Sequence, residues 1–128
     1  MKEITISTHL RTEFVDISGI VQQTLKKIGA EECIVTVFVP HTTAGITINE
    51  NADPDVLHDL EKAFDKIVPW SAGYEHSEGN SAAHVKASLV GSSVSVPVIE
   101  GRLKLGTWQS IFFCEFDGPR NRHVWISK

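Results

Sequence analysis

The run Ile34-Val35-Thr36-Val37-Phe38-Val39 is β-branched and apolar at both alternating sets of positions, and it stops at Pro40. Such a segment has no polar side to offer water, so it is expected as a central strand covered on both faces. The surrounding sequence supplies partners. Glu3 to Thr8 alternates apolar and polar residues, as a half-buried strand does, and Arg11 to Val15 is expected to pair with it. Ile46 to Glu50 and Ser93 to Ile99 alternate in the same way. Arg102 to Leu105 returns from a Glu100-Gly101 turn, Thr107 to Phe116 reads as a long strand, and Arg122 to Ser127 closes the sheet.

Three helical stretches interrupt the strands. Ile17, Ile20, Val21, Leu25 and Ile28 form an apolar stripe that Asp16 or Ser18 can cap and Gly29 can end. Asp53-Pro54 is a helix start, with Asp as N-cap and Pro at the first helical position. It is followed by a stripe of Val56, Leu57, Leu60, Phe64 and Ile67 that Pro69 stops. After a polar loop from Ser71 to Asn80, Ser81 to Val90 forms a short helix closed by Gly91. Hairpin-like strands with inserted helices define an α+β class: a mostly antiparallel sheet with helices packed on one face. Residues 1–128 form a single domain, long enough for one core and one pocket.

Composition narrows the function. The 12 basic residues are scattered and are outnumbered by 16 acidic ones, for a formal net charge of -4, so the chain lacks the cationic stripe of a nucleic-acid binder. No apolar run approaches the roughly 20 residues of a membrane span, and Met1 to His9 lacks the apolar stretch of a signal peptide. Cys33 and Cys114 lie in runs that read as buried strands, as small core residues of a reducing compartment do. The expected partners therefore include neither nucleic acid nor membrane, and the expected address is cytoplasmic.

The candidate chemistry lies in loops and element ends. His41 follows directly on Pro40, His76 sits in the polar loop, and His84 lies early in the helix after it. None of the tight metal-ligand spacings is present. Brought together, the three imidazoles would make a zinc-type site with an open position; kept apart, they are ordinary hydrogen-bonded histidines. His58 is expected to face solvent, and His9 and His123 are assigned no role.

The segment Asn49-Glu50-Asn51-Ala52-Asp53-Pro54 places amides and carboxylates at a strand end and a helix N-terminus, where backbone N-H groups can receive an anion. Capping explains Asp53 fully, but it does not explain Asn49 or Glu50, which are poor strand formers. Arg102 and Gln109, on either side of Gly106 and Trp108, can bind a phosphate or an amide from a strand surface or can simply be solvated.

Four stretches carry a family resemblance: His41-Thr42-Thr43-Ala44-Gly45 running on through Asn49-Glu50-Asn51-Ala52-Asp53-Pro54; His76-Ser77-Glu78-Gly79-Asn80; Ala83-His84-Val85-Lys86-Ala87-Ser88-Leu89; and Gly101-Arg102-Leu103-Lys104-Leu105-Gly106-Thr107-Trp108-Gln109. In that order, along nearly the whole chain, they resemble the YjbQ family. The resemblance implies a compact α+β fold, a homotrimer, and a polar cleft built from positions matching His41, Asn49, Asp53, His76, Glu78 and His84. It also implies a weak thiamine phosphate synthase activity, which joins a pyrimidine pyrophosphate to a thiazole phosphate and releases pyrophosphate. On that pattern His41, Asn49, Asp53 and Glu78 are the catalytic candidates, and His41, His76 and His84 the metal candidates. Charge on a departing pyrophosphate would be met by Arg102, Lys86 or a divalent metal ion, zinc or magnesium. The alternative is a non-catalytic trimer that binds a metal ion or a phosphorylated metabolite.

Overall fold

The computed structural model describes all of residues 1–128. Its elements are β1 (Lys2–Ser7), β2 (Glu13–Asp16), α1 (Ser18–Lys27), β3 (Cys33–Phe38), β4 (Ala44–Glu50), α2 (Pro54–Ile67), α3 (Ser81–Val90), β5 (Ser93–Ile99), β6 (Arg102–Leu103), β7 (Gln109–Glu115) and β8 (Asn121–Ser127). The strands form two antiparallel sheets, one ordered β1-β8-β3-β5-β6 and the other β2-β7-β4. The α+β class and the antiparallel pairing follow the sequence pattern. The division into two sheets does not, because alternation tells which side of a strand is apolar and not which sheet the strand joins.

The apolar faces of both sheets meet in one core, with Val35, Val37, Val96, Val98, Val124 and Ile126 from the larger sheet and Ala44, Ile46, Ile111 and Phe113 from the smaller. Helix α1 closes one end of this sandwich by burying Ile17, Val21 and Leu25 in the same core. It also ties the two sheets together. Ser18 Oγ accepts from Ile111 N (2.8 Å), and Gln22 bonds Gly101 O (2.7 Å) and Leu103 N (2.9 Å).

The other side of the smaller sheet is covered by α2 and α3, where Cys114 and Phe116 pack with Ala83, Ala87, Phe14, Phe64 and Trp70. Asp53 caps α2 as expected, its Oδ1 accepting from Asp55 N at 2.9 Å, and Pro54 opens the helix. The α2 stripe is only half-buried, and Ile67 is exposed, because the helix lies at the margin of this second core.

Two pairing expectations are corrected. The segment around Arg11 to Val15 pairs through β2 with β7, and β1 pairs with β8 instead. Strand β3 is central, between β8 and β5, but covered on one face only: Ile34 is 56% exposed and Phe38 37%, the latter stacked on Trp125. Both cysteines are unpaired, and burial pushes the Cys114 thiol up to about 12, which leaves it protonated and inert. No helix is long and apolar enough to cross a membrane.

Candidate functional site

A polar cleft opens where the chain leaves β3, where the loop before α3 folds back, and where β7 turns into β8. Its volume is about 450 Å³, and among the residues lining it are His41, His76, Glu78, His84, Arg120 and Arg122. Pro40 apart, every lining side chain is polar or charged. The three histidines singled out from the sequence therefore share one cleft, although they are remote along the chain.

Its floor is a buried ion pair that sequence reasoning missed. Glu115 ends β7 and is fully buried; Arg122 is the second residue of β8 and is 5% exposed. The guanidinium donates through Nε to Glu115 Oε1 (2.8 Å) and through Nη2 to Glu115 Oε2 and to Thr43 Oγ1 (2.8 Å). Thr8 Oγ1 donates to Glu115 Oε1 at 2.7 Å, and Asp117 N donates to Glu115 Oε2 at 3.1 Å. Burial opposes ionisation of this carboxyl, but the Arg122 and Thr8 hydrogen bonds, the Asp117 amide and the Arg122 charge outweigh it, so Glu115 titrates below its ordinary range. The available signal was a charge inside the buried run Phe112-Phe113-Cys114-Glu115-Phe116, a local rule broken without a visible partner.

The backbone next to Arg122 positions His41. His41 Nε2 accepts a hydrogen bond from the backbone N-H of His123 at 2.8 Å, and the two rings stack with centroids 6.1 Å apart. Burial, then the charges of Arg122 and His123, lower the His41 pKa below its ordinary value, while Glu115 pulls the other way. The ring is therefore neutral near pH 7. Because Nε2 is the acceptor, its single proton sits on Nδ1, and the free end of His41 is a hydrogen-bond donor. His123, left without a role in the sequence reading, supplies the amide that fixes this tautomer.

The opposite wall comes from the loop and α3. His76 and His84 meet edge to face with centroids 5.4 Å apart, and Glu78 Oε1 lies 3.9 Å from His76 Nε2. Asn80 anchors the loop by donating from Nδ2 to Asp117 Oδ2 (2.8 Å), and Arg120 holds the same carboxylate (3.0 Å). The Asn80 Oδ1 is buried without a partner.

Within one protomer this arrangement is not a complete metal centre. No group of three or more His, Cys, Asp or Glu side chains is placed to hold an ion. His41 Nε2 is committed to the His123 amide, and its protonated Nδ1 cannot ligate without losing that proton. His76, His84 and Glu78 are the residues nearest to such a set.

The remaining candidates lie elsewhere in the protomer. Asn49 and Asp53 sit at the downstream end of β4, about 17 Å along the strand from Ala44 at roughly 3.4 Å per residue. There Asn49 Oδ1 accepts from Glu50 N (2.7 Å) and Asp53 caps α2. Arg102 is exposed on β6, at the edge of the larger sheet. Lys86 is 2% exposed, and its ammonium binds Asp65 in a separate cavity beside Arg11 and Trp70. Two residues along a helix are about 200° of rotation, so His84 and Lys86 face opposite sides of α3. Gln109 Oε1 accepts from Gly106 N (2.8 Å) and shapes its own turn.

A histidine-rich cleft on two stacked antiparallel sheets with flanking helices is thus what the fold presents. Residues 2–128 match the family described as UPF0047 protein YjbQ-like, and the chain belongs to that family. It is 51% identical to the UPF0047 protein YugU of Bacillus subtilis, over 98% of this chain and 96% of that one. Against the UPF0047 protein of Methanocaldococcus jannaschii the identity is 47%, over 94% and 88% of the two chains. A crystal structure of a YjbQ/UPF0047-family protein from Clostridium acetobutylicum superposes with a TM-score of 0.96 at 50% identity, covering 99% of this chain and 98% of that one. A conserved hypothetical protein from Thermus thermophilus gives 0.92 at 39% identity, with 99% and 98% covered.

Proposed function

We propose that the cleft binds a small phosphorylated substrate, and that the protein is a transferase with weak thiamine phosphate synthase activity acting in the cytoplasm. The observation that carries this reading is the cleft itself: His41, His76 and His84 beside Arg120 and Arg122, in a lining that is polar or charged apart from Pro40. In the reaction, the thiazole nitrogen forms a bond to the pyrimidine methylene carbon as the carbon–oxygen bond to pyrophosphate breaks. Pyrophosphate leaves with the electron pair. Arg120, half-exposed at the cleft, and the His41 Nδ1-H face the charge that collects on it.

Asn49 and Asp53 match the polar site that the family resemblance implies, yet in one protomer they lie at the far end of β4 from the cleft. Both that expectation and a homotrimer hold together if the downstream end of β4 in one subunit meets the cleft of its neighbour. Trp108 supports this. It is 63% exposed, and its carbonyl accepts from Asn51 N at 2.8 Å, so a large aromatic surface stands beside the polar segment.

The test is turnover of the pyrimidine pyrophosphate and thiazole phosphate pair by purified protein. Loss of product in His41→Ala and His84→Ala, with size-exclusion behaviour unchanged, is expected. Turnover retained in both variants would remove the cleft from the mechanism. The His76, His84 and Glu78 cluster favours one second reading, a non-catalytic trimer holding a divalent ion, zinc or magnesium. Stoichiometric metal by elemental analysis, lost in a His76→Ala, His84→Ala variant, would support it over the first.

A further inference from the structure

The cleft does not end at its histidines. A second cavity of about 470 Å³ adjoins it and shares His41, Thr42 and His84 as a common wall. The two differ in chemistry. The first has Arg120, Arg122, Glu78 and Asp117 around it, whereas the second is completed by Ala44, Ala87, Ser88, Gly91 and Ser92 and contains no carboxylate, lysine or arginine.

Backbone, rather than adjustable side chains, sets one wall of the second cavity. Gly91 ends α3 at φ +98°, a conformation that favours glycine. Its carbonyl accepts from Ile46 N at 3.0 Å. A Cβ on Gly45 would stand 2.7 Å from that same oxygen, so the α3–β5 turn rests directly on β4. Ala44 and Ala87 leave the space unfilled. Ser88 Oγ donates to His84 O at 3.0 Å, which leaves its lone pairs free to accept, and the other polar groups are the Thr42 and Ser92 hydroxyls and the shared His41 and His84 rings.

An anion placed there would meet no lysine or arginine, and a long aliphatic chain would meet hydroxyls and open water. A compact uncharged group with a few polar atoms, such as a small ring, complements the walls. We infer that this cavity is a second subsite, which takes the uncharged half of a phosphate or pyrophosphate ester while the arginine side takes its anion. The bond joining the two halves then crosses the waist between His41 and His84. This inference rests on the phosphorylated-substrate reading and specifies the rest of the substrate.

The test is calorimetric titration of the full chain with two probes, inorganic phosphate and phenyl phosphate, which differ by one neutral ring. Wild type should bind phenyl phosphate at least about tenfold more tightly, a difference of roughly 1.4 kcal/mol. Ser88→Phe and Ser92→Phe, at exposed positions that leave the core untouched, should erase that advantage and keep inorganic phosphate affinity within about twofold. Arg120→Ala should weaken both probes. Phosphate binding with no ring advantage, or an advantage that survives both phenylalanine variants, overturns the second subsite alone. No phosphate binding at all overturns the anion reading and the subsite with it.

Discussion

At the upstream end of β4, His41 and Thr43 rest on an ion pair drawn from β7 and β8, and every polar atom of the Glu115 carboxylate is matched by a donor from elsewhere in the fold. At the downstream end, Asn49 bonds its sequence neighbour, Asp53 caps the helix it begins, and Trp108 is left exposed beside them. One end is a site assembled by long-range contacts. The other is locally satisfied and lacks a cavity. Residues of functional type therefore differ at the two ends: the first group is organised into a cleft within the protomer, and the second is not.

The sharpest way to break this contrast is to mix subunits. If the proposed homotrimer and synthase activity hold, His84→Ala and Asn49→Ala trimers are each expected to lose turnover to near background. Trimers reassembled from both variants are expected to regain a fraction of it, since some neighbour pairs then hold an intact His84 and an intact Asn49. No recovery in the mixed assay would mean that the downstream end has no part in the cleft.

Next in size is the ion pair itself. Arg122→Ala leaves a buried carboxylate without its partner and is expected to cost about 3–5 kcal/mol in denaturant unfolding. A cost near that of an exposed ion pair, below about 1 kcal/mol, would show that the upstream end is not built as described.

The pH dependence of stability separates the same groups. Both His41 and Glu115 have depressed pKa values in the folded chain, so the unfolded chain binds more protons as pH falls. Stability is complete above the ordinary histidine value of 6.5. It declines below that value as His41 is forced to charge, and declines again below 4.5 as Glu115 is titrated. Midpoints of urea unfolding measured against pH should show both declines, with the upper one absent in His41→Ala. An unchanged upper decline in that variant assigns it to another group.

The smallest effect belongs to the downstream end. Asp53→Ala removes one N-cap and is expected to cost about 1 kcal/mol in denaturant unfolding. A cost of several kcal/mol would show that Asp53 does more within the protomer than cap α2.

Much of the fold was legible along the chain because its signals are local. Asp53-Pro54 predicts the α2 start, Gly91 the α3 stop, the Glu100-Gly101 pair the β5–β6 turn, and each rests on the backbone freedom or hydrogen bonding of one or two residues. The polar ends of elements led equally to His41, His76 and His84. Lys86 was misread for a physical reason. Its place in the segment Ala83-His84-Val85-Lys86 puts it beside a cleft residue in sequence, while the helical turn sends it to the other side, to Asp65.

By itself, then, the sequence determined the strands and helices, the family, and which loops carry polar chemistry, since all of these depend on short-range propensity and on ordered motifs. Only the tertiary structure decided that the strands divide into two sheets, that Arg122 neutralises Glu115 beneath His41, and that Asn49 and His41 stand at opposite ends of one strand. Those outcomes depend on which remote segments meet. The energy that selects them, burial of both sheet faces in one core and pairing of a charge that would otherwise be stranded, has no signature within any window of neighbouring residues.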